Sequence, residues 1–145
     1  MLRTAGAVVV GYVAMILFIF VTFSLVYLVL GTNGAFKPGR YEVTSLWLAI
    51  SFGVGLIAAM AGGFVCVAIA QNAKAPLALA GLVLILGLVM AVPILKSSGS
   101  SAPQLRAASV GNWEAMQNAK QPPWFAVTNP FIGALGVILG ARLKK

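Results

Sequence analysis

The sequence has no histidine, no aspartate, one cysteine and only two glutamates among its 145 residues. Each lack closes off some chemistry. Without imidazole there is no His ligand for haem, zinc or copper, and no Ser–His or Cys–His nucleophile pair. The lone Cys66 cannot form an intramolecular disulfide, so cysteine usage gives no redox compartment. Asn129 precedes Pro130, and no N-glycosylation acceptor occurs elsewhere. Charge is scarce too: 8% of residues carry it, against about 25% in a soluble domain. No metal and no cofactor is expected, and only a quinone or pigment held by backbone groups, Trp or Tyr is left open.

What the chain has in abundance is apolar surface, with 61% of residues hydrophobic. Four membrane spans of about 20 residues consume roughly 80 apolar positions, and the composition supplies them. Ten Lys or Arg against two Glu give a net charge of +8. These cations are scattered and form no cluster of the kind a phosphate groove needs, so nucleic acid is not an expected partner. They read as residues of the membrane–water boundary, with membrane lipids as partners.

The expected fold class is an all-α integral membrane protein, a bundle of four transmembrane helices in one domain covering 1–145. The first span, 5–30, is uncharged. It is too long for the 7–15-residue core of a signal peptide, so it reads as an uncleaved span. At about 1.5 Å per residue it reaches about 39 Å, against a hydrocarbon core of about 30 Å, and should tilt or project. The second span, 46–70, is entered through Trp47, and the third, 77–95, has Pro76 in its first turn and Pro93 near its end. The fourth, 125–141, is the shortest and has Asn129-Pro130 in its first turns.

The connections divide unequally. Residues 32–45 carry Asn33-Gly34 and Pro38-Gly39 turn signals. Gln71 to Ala75 is a tight link on the inner side, making the second and third helices antiparallel neighbours. The long outer loop, 96–124, opens on a flexible Ser97-Ser-Gly-Ser-Ser101 stretch. It then offers either an ordered loop or a short helix from Asn112 to Lys120, capped by Asn112, with Trp113 and Met116 on one face.

Four spans place both termini on one side with Arg3, Lys74, Arg142, Lys144 and Lys145, opposite Lys37, Arg40, Lys96, Arg106 and Lys120. Five against five is no bias. The tight, acid-free cluster after the fourth span and the Trp and Tyr residues at the opposite boundary favour N-in and C-in in a bacterial inner membrane. Arg3, Lys74, Arg142, Lys144 and Lys145 are then the expected contacts for anionic headgroups. The near-tie also permits dual insertion and an antiparallel dimer.

Small-residue spacing is the most organised feature. On the second span Ser51, Gly55, Ala59 and Gly63 recur every four residues, beside a second row of Ala58, Gly62, Cys66 and Ala70. The fourth span carries Gly136 and Gly140, with Gly133 nearby. Such faces let helices approach closely in lipid. They are expected to pack inside the bundle, against Phe20, Phe23 and Tyr27 of the first span, or to seat a helix of another chain. In the second case Leu at Gly55 or Gly63 should split an assembly. The few polar residues in the spans, Thr22, Ser24, Ser51, Thr128 and Asn129, make one candidate outward pocket, each having a plainer use in bonding or capping its own helix.

No ionisable residue lies in any span, and Glu42 and Glu114 read as solvated or locally paired loop carboxylates. Carboxylate-driven proton exchange is excluded on that ground. Small multidrug transporters need a Glu in the first span, which this chain lacks, and the Phe- and Thr-rich motif of fluoride channels is missing as well. The expected role is that of a non-enzymatic subunit acting through helix contacts, in a larger membrane complex or as a homo-oligomer. The alternative is a passive channel or carrier for a small solute.

Overall fold

A computed structural model describes residues 2–97, 105 and 107–144. Ser98–Ser101, Arg106 and Lys145 lie outside them. Five helices follow one another: α1 Leu2–Ala35, α2 Ser45–Ala70, α3 Lys74–Ser97, α4 Asn112–Asn118 and α5 Pro123–Arg142. Four of these are long and apolar enough to cross a membrane. Among the described residues there is no strand, only isolated bridges in the connections. The chain is an all-α four-helix bundle.

Burial supports a membrane setting independently of length. Bulky apolar residues point outward, with Leu28 at 74%, Val29 at 85% and Met90 at 71% exposure, while Ala7, Ala58, Ala59, Cys66 and Ala75 are fully buried. In water such a surface would be a liability. In a bilayer it is the solvated face, and the small residues inside permit close helix contact. The protein is therefore an integral membrane protein.

The helix ends explain the bounds. α1 is broken at Gly31, whose φ of 65° and ψ of −178° lie in a region essentially restricted to glycine. The chain beyond it makes one more helical turn before Phe36. α2 ends at Gln71 in the left-handed conformation, without the usual glycine. Ahead of α3, Asn72 Oδ1 accepts from the backbone N–H groups of Lys74 and Ala75 at 3.1 and 3.0 Å, and its Nδ2 donates to Thr4 Oγ1 and to Ala70 O. One side chain thus starts α3 and ties it to α1 and α2. α1, α3 and α5 extend beyond their expected limits at both ends, and α2 by one residue at its start, because caps and boundary residues outside the apolar run continue the helix.

One expectation is refined and two are corrected. α2 and α3 touch each other only lightly: α3 packs chiefly on α5, the shortest span, and α2 packs equally on α1 and α5. The reason lies in the glycines. A Cβ at Gly63 would collide with the Val137 carbonyl and one at Gly140 with the Met60 carbonyl; one at Gly136 would lie 2.7 Å from Ala59 Cβ. On the other side, a Cβ at Gly87 of α3 would lie 2.6 Å from Pro130 Cγ.

Second, the two small rows of α2 do not face Phe20, Phe23 and Tyr27. The Gly55–Ala59–Gly63 row meets α5, where Asn129 Oδ1 is the nearest group to a Cβ at Gly55, at 3.5 Å. In the other row Gly62 meets Met15 and Gly11 of α1, and Cys66 lies beside Gly11. Phe23 and Tyr27 meet the Trp47 ring instead, the first tilted and the second edge-on.

Third, Asn112 does not cap α4. Gly111 holds that position without a side-chain bond, and Asn112 Nδ2 donates to Ser24 Oγ at 3.0 Å.

Candidate functional site

At the loop end a second, smaller core sits above the bundle: Tyr27, Ala35, Phe36, Tyr41, Val43, Val110 and Ala115 are buried together. Turn chemistry builds it. Pro38 and Gly39, the latter with φ 67°, make a tight turn in which Arg40 N–H donates to Lys37 O at 3.2 Å. Lys37 N–H then donates to Glu42 O at 2.8 Å, and Lys120 bridges to the same segment through Lys120 N–H to Tyr41 O and Val43 N–H to Lys120 O. The two connections are joined into one cap.

Tyr27 anchors that cap. Its hydroxyl donates to Val110 O at 2.6 Å and lies 3.2 Å from Thr32 Oγ1, which accepts from Val110 N–H at 3.3 Å. With Thr32 donating to Tyr27, the three groups close a ring of hydrogen bonds in an apolar setting. Nothing in the spacing of Tyr27, Thr32 and Val110 announces this, because two of the contacts cross about 80 residues of sequence.

Both carboxylates belong to the cap. Glu42 is 2.9 Å from Lys37 Nζ and 3.6 Å from Arg40. The Lys37 hydrogen bond and the two nearby cations hold its carboxyl below the usual carboxylate range. Glu114 Oε1 accepts from Tyr41 at 2.6 Å.

The five polar residues expected to share a pocket have different surroundings. Ser51 and Thr128 each donate to the carbonyl one turn back, Trp47 O and Trp124 O, both at 2.7 Å. Ser24 is taken by Asn112, Asn129 faces Gly55, and Thr22 is half-buried on α1. Helical back-bonding satisfies Ser51 and Thr128 locally.

Two hollows exist at the loop end, and neither contains any of those five. A smaller one of about 170 Å³ lies among α1, α2 and α4, lined by Phe20, Phe23, Tyr27, Trp47, Met116 and Gln121, among others. A larger one of about 760 Å³ opens between the end of α3 and the cap, with Lys37, Arg40 and Lys120 on its wall. Sequence reasoning missed both, although the boundary aromatics marked the right end of the molecule.

The termini gather at the opposite end. Arg3 Nε donates to Ile69 O at 2.9 Å, satisfying a carbonyl at the end of α2, and Lys144 Nζ lies 5.4 Å above the Phe64 ring. Comparison of the chain with protein-family models, with curated proteins and with solved structures finds no match.

Proposed function

We propose that the chain is a non-enzymatic membrane subunit that acts by presenting a rigid helical surface, within a larger complex or as a homo-oligomer. The observation that carries this reading is how the interior is filled. Gly62, Gly63, Gly136 and Gly140 bring helix backbones into direct contact, which leaves a bundle suited to holding a shape. The available side-chain chemistry agrees. Glu42 is engaged by Lys37 and Arg40, and Glu114 by Tyr41, so neither carboxylate stands ready as a base.

Because both small rows of α2 are occupied from within the chain, a partner surface falls elsewhere. α1 is the span with the smallest buried share and keeps an apolar face uncovered from Val9 to Val29. The passive-channel reading gains nothing from the five polar residues, none of which lines either hollow. A bacterial inner membrane with N-in, C-in orientation remains part of the proposal, supported by the basic cluster after α5 and the aromatic loop end.

Native mass spectrometry of the protein extracted in mild detergent tests the reading. A particle holding other subunits or further copies is the expected outcome. A bare 15.0 kDa monomer that conducts a small solute in liposomes would overturn it.

A further inference from the structure

The larger hollow at the loop end has a divided lining. On one side Met90 and Ile94 of α3, with Pro122 and Pro123 at the start of α5, make an apolar wall. From Ser97 back to Met90 this wall descends about 10 Å along α3, from the boundary toward the membrane interior. On the other side stand Lys37, Arg40 and Lys120, with Glu42 as the one carboxylate of the lining. Three cations against one carboxylate leave two positive charges in excess, and Glu114, bonded to Tyr41, is the nearest other acid that the cap supplies. Lys96 in the last turn of α3 offsets the partial negative charge of that helix end.

A groove of about 760 Å³ is within the range that holds a small ligand. Its occupant needs an anionic head at the cap and an apolar tail along α3. A free phosphate would use the cations and leave the Met90–Ile94 wall without a role, and a neutral lipid would leave the excess charge unmatched. We infer that this groove seats an anionic phospholipid, its phosphate among Lys37, Arg40 and Lys120 and an acyl chain against Met90 and Ile94. The inference goes beyond the subunit reading and stands whether or not the chain has partners. It also moves specific lipid recognition away from the cluster at the termini, where Arg3 and Lys144 are already engaged by Ile69 O and the Phe64 ring.

The test uses the full chain in mild detergent with equal amounts of phosphatidylglycerol and phosphatidylcholine, read by native mass spectrometry. One phosphatidylglycerol should be retained in preference by about tenfold or more, given roughly fivefold for each basic residue facing an anionic headgroup. The Lys37→Gln/Lys120→Gln variant should lose nearly all of that preference. Its backbone bridges at Tyr41 and Val43 do not depend on the lysine side chains. Where the double variant fails to fold, Lys120→Gln alone should lose about fivefold. Arg142→Gln/Lys144→Gln at the opposite end should keep the preference. Equal retention of the two lipids, a preference that survives the loss of both lysines, or one abolished from the opposite end would overturn the proposal. So would displacement of the lipid by millimolar inorganic phosphate, which would identify a soluble anion as the occupant.

Discussion

Glycines at three kinds of position make different demands on the same residue type. Gly63 faces the Val137 carbonyl, where the obstacle to a side chain is backbone. Gly81 meets nothing within 4 Å. Gly63→Ala should therefore destabilise the bundle by about 3 kcal/mol, as overpacked cores do. Gly81→Ala should be neutral or stabilise by about 0.5 kcal/mol through helix propensity. Thermal unfolding in detergent separates the two, and equal melting temperatures would show that the α2–α5 contact is looser than described. Gly31 has open space around it but a backbone angle other residues avoid. Gly31→Ala should cost about 1–3 kcal/mol from strain alone. Tyr27→Phe removes the donor that satisfies the buried Val110 carbonyl; a loss of about 1–3 kcal/mol, seen first as protease cleavage within the cap, is expected.

At the scale of elements, the four spans were legible because each is a long uncharged apolar run, and a backbone in lipid must satisfy its own hydrogen bonds. Their bounds were less so. Asn72 shows why: it begins α3 from outside the apolar run by accepting from two N–H groups. Asn72→Ala should cost about 1 kcal/mol for the cap, with a further loss from its bond to Thr4, and hydrogen exchange should quicken first at Lys74 and Ala75. Neighbour relations were hidden as well. The shortest span proved to be the one wedged between α2 and α3, because Gly136, Gly140 and Pro130 match Ala59, Met60 and Gly87 on two different helices. A row of small residues states that something comes close, and not which helix it is.

For the whole molecule, charge sits mainly outside the bundle and contributes little to its stability. Glu42 is held below the usual carboxylate range by Lys37 and Arg40. With a lowered pKa in the folded protein, its contribution is present above the ordinary carboxylate range and fades as pH falls through the lowered value. The pair is well exposed, so solvent screens it and the effect is small. Melting temperature should fall only slightly on acidification below the carboxylate range, and Glu42→Gln should abolish that part of the fall. Leu at Gly63, a substitution that on a partner face would split an assembly, should instead unfold the chain that carries it. Loss of helical structure together with any change in native size is the expected result.

The candidate site at the loop end was legible only as an address, through Trp and Tyr residues at one boundary. The hollow itself needed Lys37, Arg40 and Lys120 to be carried beside Met90 and Ile94 by a cap that joins two connections. Composition alone determined the solvent of this protein: hydrocarbon accepts apolar runs and rejects uncompensated charge, and that is a local property of each segment. Which helices touch, which glycines are indispensable and where cations gather over an apolar wall were decided by tertiary structure. Those properties depend on close contact between segments far apart in the chain, and small residues permit such contact without specifying the partner.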